Sequence, residues 1–138
     1  MPAGGGSARL VTRIADTRGY ARPLAWWPDG ESLLVRDARP DGVPILRVFL
    51  SGSPSVPVTV PPPFETDAYI AVSPDGKHFA FARDRPGSGR LVCIAPAAGD
   101  TPDASNDPCI ARFPNVRGLA WRQDSRGIYA SDRSALYY

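Results

Sequence analysis

The stretch LAWWPDGESLLVRD, residues 24–37, sets Pro-Asp-Gly between two apolar runs, and the arrangement returns at 70–84 as IAVSPDGKHFAFARD. A single turn of this kind says nothing about function, whereas one that recurs at fixed spacing implies a supersecondary unit being stacked. Three copies align on Asp29, Asp75 and Asp124, which stand 46 and 49 residues apart. Leu24-Ala25-Trp26, Ile70-Ala71-Val72 and Leu119-Ala120-Trp121 precede the three turns in matching register. After them come the apolar pairs Leu33/Val35, Phe79/Phe81 and Ile128/Ala130, each two residues apart. That is the period of a strand with one buried face, so each copy is read as a hairpin.

The residues of the turn explain themselves locally. Pro28 and Pro74 hold φ where a turn begins, Asp29 and Asp75 bond to nearby backbone, and Gly30 and Gly76 accept positive φ. The third copy, LAWRQDSRGIYASDR (119–133), keeps Asp124 but carries Gln123 for the proline and Ser125 for the glycine. It is a degraded repeat with a less tightly specified turn.

Third strands are expected at Ile45–Phe49, Leu91–Ile94 and Leu136–Tyr138, introduced by the turn-rich segments RPDGVP, DRPGSG and DRSA. Fourth strands are expected at 56–60 (VPVTV) and 109–113 (CIARF), after loops rich in Gly, Pro, Ser and Asp. No segment shows sustained helical periodicity. Four short strands in a repeat of about 46 residues is the signature of a propeller blade. The expected core contains Leu33, Val35, Phe79, Phe81, Leu91, Leu119 and Ile128.

Leu-Ala-Trp-x-Pro-Asp-Gly, followed by alternating apolar residues and a polar Arg-Asp or Ser-Asp-Arg end, resembles the repeat of TolB-like (WD40-like) β-propellers. The resemblance covers nearly the whole chain, and AVSPDGKHFAFARD with GLAWRQDSRGIYASDR is most similar to the propeller region of membrane-bound winged-helix transcriptional regulators. It implies an all-β fold. It implies no particular activity, because such propellers also occur in the periplasmic TolB protein and over the catalytic site of prolyl-oligopeptidase-like enzymes.

Composition agrees with an ordinary β domain: 43% hydrophobic and 22% charged, with 16 prolines and 13 glycines for its turns. The formal net charge is +2, and Lys77 is the only lysine among scattered arginines, which gives nucleic-acid binding no support. The first twenty residues lack the apolar centre of a signal peptide, and no stretch is long and apolar enough for a membrane span.

Closing a propeller takes about four blades or more. The expected division is 1–16 as the last strand of a preceding blade, 17–63 and 64–115 as blades, and 116–138 as an incomplete blade: an incomplete propeller of about three four-stranded blades. The remaining blades then come from the rest of a longer chain or from a second copy, by strand exchange.

Candidate chemistry is sparse. Ser73, Asp75 and His78 cluster at the second turn, but His78 aligns with Ser32 and Gly127 and Asp75 with the other turn aspartates, so no catalytic residue is assigned. No Gly-x-Ser-x-Gly elbow occurs. One histidine and two cysteines make no recognised metal set, and DTPDASNDP (100–108) lacks the glycine and terminal glutamate of a calcium loop. Neither a cofactor nor a metal is expected.

Trp26 and Trp121 share a repeat position and read as blade-to-blade packing residues. Trp27, whose counterparts are Ser73 and Arg122, is expected on the opposite side and is the candidate contact residue. Cys93 and Cys109 fall in the third and fourth strands of one repeat, where a disulfide is geometrically open; the alternative is two unrelated small apolar residues. The reading is a non-catalytic recognition or sensing scaffold, periplasmic by resemblance, with an unidentified protein partner or small ligand. The alternative is the gating propeller of a prolyl-oligopeptidase-like serine peptidase.

Overall fold

The computed structural model describes residue 8 and residues 10–13, 24–97, 109–113 and 115–138. Among these residues there is no helix. Eleven strands occur: β1 Leu24–Trp26, β2 Ser32–Arg36, β3 Ile45–Phe49, β4 Val56–Pro57, β5 Thr66–Val72, β6 His78–Arg85, β7 Gly89–Pro96, β8 Cys109–Phe113, β9 Gly118–Trp121, β10 Ile128–Ser131 and β11 Leu136–Tyr137. They form three antiparallel meanders in chain order, β1-β2-β3-β4, β5-β6-β7-β8 and β9-β10-β11. Each is the up-and-down sheet of a propeller blade. The first strands of the blades approach one another, β1 against β5 and β5 against β9.

The strand expected over 1–16 falls largely outside the described residues; those described there lie in no strand. The expected strand at 56–60 is shorter, ending at Pro57. Pro57 has no N–H for the ladder, yet the pairing continues in another form. Val58 N–H donates to the Ile45 carbonyl, and the Ile45 N–H donates to the buried Thr59 Oγ1, each at 2.9 Å.

A blade packs on both faces, which decides the core. On β6, Phe79 and Phe81 face the first blade and join a cluster with Trp27, Leu34, Ile45 and Ile70, whereas Ala82 faces the third blade with Val92, Val116 and Ala130. Large side chains on one face and small ones on the other let neighbouring sheets come together at native density. Val35, Phe79 and Phe81 are buried as expected, but Leu33, Leu91, Leu119 and Ile128 are only half-buried. Leu34 and Ile45, absent from the expected core, are fully buried. The reason is that β2 is covered on both sides, so alternation does not single out one face.

The second blade also buries an ion pair. Arg83 on β6 donates to both carboxylate oxygens of Asp67 on β5, at 2.7 and 2.9 Å, and Glu65 accepts from Arg85 at 2.7 Å. Burial pushes the Asp67 carboxyl up from its ordinary value, and the two Arg83 hydrogen bonds oppose it.

Candidate functional site

The three turns share one backbone design. Trp27, Ser73 and Arg122 each donate their N–H to the carbonyl five residues on and accept, three residues on, from the N–H of Gly30, Gly76 and Ser125. Those last three residues take φ of 70°, 69° and 59°. This is a turn followed by a left-handed residue, a common short hairpin connection. Ser125, where the other copies have glycine, adopts the same left-handed conformation.

Each aspartate caps its own turn. Asp29 Oδ1 accepts from Glu31 N–H at 2.8 Å, Asp75 Oδ1 from Lys77 N–H at 3.0 Å and Asp124 Oδ1 from Arg126 N–H at 3.0 Å. The Ser73 hydroxyl, and then the Lys77 N–H, hold the Asp75 carboxyl below its usual value. Asp29 is also lowered: desolvation, the largest single influence, raises it, but the Glu31 N–H, Arg47 and the Ser32 hydroxyl together outweigh it.

The turns lie side by side on one face of the blades. A Cβ on Gly76 would stand 3.3 Å from Pro28 Cγ, and the Asp75 N–H donates to Ser125 Oγ at 3.1 Å. Neighbouring blades therefore touch through their turns as well as their first strands.

Ser73, Asp75 and His78 do come together, but not as a charge-relay set. The buried Ser73 Oγ donates to Asp75 Oδ1 at 2.7 Å and accepts the backbone N–H of His78 at 3.0 Å. The His78 ring instead stacks on Trp121, centroids 6.3 Å apart at 28°. A nucleophile needs an open approach, and the Ser73 hydroxyl is fully buried and tied into its own turn.

Beside that stack, a cleft of about 480 Å³ opens between the second and third blades. Ile94, Ile110, Trp121, Ile128 and Tyr138 supply its apolar wall, with His78 and Arg126 at its rim. Ile110 on β8 is 65% exposed, so the wall is accessible. Tyr138 is held by the Tyr129 ring at 5.1 Å and by the Arg122 guanidinium, which donates to its hydroxyl at 3.1 Å. The volume lies within the range of small-ligand sites.

The tryptophan expectation is reversed at the first turn. Trp27 is buried, 7% exposed, against Phe79, while Trp26 is 59% exposed. β1 ends at Trp26, so Trp27 opens the turn and its indole folds inward. Arg47 covers the ring's outer face at 4.6 Å, so Trp27 is no surface contact residue. Arg47 was not legible as a site residue: it also donates to Asp29 Oδ2 at 2.6 Å, a pairing that depends on β3 lying across β2. Trp121 is half-buried and its Nε1–H donates to the Ala71 carbonyl of the preceding blade at 3.0 Å.

Cys93 on β7 and Cys109 on β8 are paired in register and joined by a disulfide. The acidic loop 100–108 lies outside the described residues. Among the described residues, no group of three His, Cys, Asp or Glu side chains is placed to hold a metal ion. Among the same residues no helix is long and apolar enough to cross a membrane.

No protein-family model and no curated protein matches the sequence. Solved structures do. A putative TolB from Agrobacterium tumefaciens superposes with a TM-score of 0.64 at 16% identity, covering 99% of this chain and 53% of that one. The β-propeller domain of the Trilobed protease from Pyrococcus furiosus gives a TM-score of 0.52 at 19% identity, covering 78% of this chain and 32% of that one. The chain thus spans about half the length of the TolB-like structure. At these identities the likeness shows the fold, which is an incomplete β-propeller.

Proposed function

We propose that this propeller segment is a recognition surface without catalysis of its own, and that the cleft between its second and third blades takes an apolar side chain or a small apolar ligand. The observation that carries this reading is the cleft itself, an open apolar wall beside the His78–Trp121 stack on a rigid scaffold. The engagement of Ser73 by its own turn supports the absence of a nucleophile.

Within this reading the segment belongs to a bacterial signalling or envelope protein and works in the periplasm, like the propeller regions of membrane-bound winged-helix regulators that its repeats resemble. The Cys93–Cys109 bridge supports a compartment in which disulfides persist. The second reading, the gating propeller of a serine peptidase, is favoured by the likeness in fold to the Trilobed protease propeller. An α/β-hydrolase domain in the same polypeptide would decide for it.

The test is selection of binders from a library of short peptides with apolar anchors, repeated on Ile110→Asp. Ile110 is largely exposed, so this change leaves the blades intact. Peptides lost on Ile110→Asp support the cleft; peptides that bind both proteins alike overturn it. Hydrolysis of generic peptide and ester substrates by the wild type, abolished in Ser73→Ala, would overturn the absence of catalysis.

A further inference from the structure

The cleft between the second and third blades has a charge as well as an apolar wall. Aromatic faces such as Trp121, with the His78 ring stacked on it, suit a cation and an apolar body equally. The ionisable groups decide between them. No Asp or Glu lines the cleft, whereas Arg126 does. Among the described residues the Arg126 guanidinium makes no ion pair and no hydrogen bond; only its backbone N–H is engaged, by Asp124. The acids of the adjoining turns are already held. Asp124 pairs with Arg122 at 2.7 Å, and Asp75 accepts from the Ser73 hydroxyl at 2.7 Å and from the Lys77 N–H at 3.0 Å.

The third turn departs from its repeat at the same place. Where the first two copies have Gly30 and Gly76, the third has Ser125, held at φ 59°. A side chain is strained in that region and glycine is not, and such strain is characteristic of working sites. Ser125 lines the cleft next to Arg126. Its Oγ accepts the Asp75 N–H at 3.1 Å, and among the described residues its own proton is donated to no acceptor. The departure from glycine thus adds a hydroxyl donor beside an unpaired guanidinium at the rim of an apolar cleft.

We propose, resting on the reading of this cleft as a binding site, that its ligand is a small carboxylic acid with an apolar body. The Arg126 guanidinium and the Ser125 hydroxyl receive the carboxylate, and the apolar body lies against Trp121 and Ile110. Hydrogen bonds from a guanidinium to a carboxylate are roughly twice as strong as neutral ones, so the charge decides which apolar molecules are held. A cation on the same aromatic faces would meet Arg126 with no acid in the cleft to balance it. The volume of about 480 Å³ suits a small molecule of this kind.

Calorimetric titration with phenylbutyrate, the neutral phenylbutyramide and the cationic phenylbutylamine tests this. Phenylbutyrate is expected to bind at least about tenfold more tightly than either of the others. Arg126→Gln, a change at an exposed residue, should remove most of that preference and leave the affinity for the amide as it was. Ser125→Gly restores the glycine of the other two turns, so it should weaken phenylbutyrate binding while the urea midpoint stays or rises. Equal affinities for acid and amide overturn the proposal, as does tighter binding of the amine or no binding of phenylbutyrate at millimolar concentration. A peptide with a free terminal phenylalanine that binds far more tightly than phenylbutyrate also overturns it, in favour of a protein terminus. Ile110→Asn, which adds no charge, reads the cleft separately. If it weakens all three probes alike, the cleft stands even where the carboxylate preference is absent; if phenylbutyrate binds it as it binds the wild type, both fall.

Discussion

The indole Nε1–H of Trp121 donates to the carbonyl oxygen of Ala71 at 3.0 Å, tying β9 of the third blade to β5 of the second. Trp121→Phe keeps most of the ring but removes that hydrogen bond, while the carbonyl keeps its place opposite Ala80 in the β5–β6 ladder. The expected loss is about 0.5–1.5 kcal/mol in urea unfolding, the net worth of one hydrogen bond. An unchanged midpoint would mean that the hydrogen bond does not hold the blades together.

Gly30 and Gly76 have almost the same φ, 70° and 69°, but different surroundings. A Cβ on Gly30 meets nothing within 4 Å, whereas one on Gly76 meets Pro28 Cγ at 3.3 Å. Alanine at either site carries the left-handed penalty of about 1–2 kcal/mol. Gly76→Ala should cost measurably more than Gly30→Ala, and the excess, read by denaturant titration, measures the contact between the first two turns. Equal losses would show that Pro28 moves aside freely.

Removing Arg83 takes away the two guanidinium hydrogen bonds and the counter-charge of the buried Asp67 carboxylate. Arg83→Ala should destabilise the chain by about 3–5 kcal/mol, whereas replacing both partners with apolar residues of similar volume should cost much less. Thermal unfolding of the single and double variants checks this. A double variant worse than the single would show that the pair adds net stability.

Asp132 accepts from the N–H groups of Ser134 and Ala135 at 2.7 and 2.8 Å and from the Tyr137 hydroxyl at 2.9 Å. The Ser134 N–H first, then the Tyr137 hydroxyl, lower its carboxyl to about 2. A lowered carboxyl binds its proton less readily in the folded chain than in the unfolded one. Its contribution is therefore complete above the unfolded value near 3.9 and lost as pH falls towards about 2. Asp132→Asn should flatten the fall in stability over that window, followed by urea midpoints at stepped pH. A wild-type profile no steeper than that of the variant would remove Asp132 as the acid-sensitive closure of the third blade.

The three turns at Asp29, Asp75 and Asp124 are legible in the sequence because turn chemistry is local. Asp bonding two residues on and a left-handed residue after it need only neighbours in the chain. Strands such as Leu24–Trp26, Ile45–Phe49 and Cys109–Phe113 are legible for a related reason, since alternation and flanking Gly and Pro mark them. Only the tertiary structure decided the facing of Trp26 and Trp27. Period two separates two sides of a strand, but a blade is packed on both, and which side is deeper depends on the next sheet and on Arg47 from another strand. The cleft escaped the sequence for the same reason. His78, Ile110 and Trp121 come from three strands of two blades and Tyr138 follows β11, and they meet because the sheets stack at their first strands and leave space beside the turns.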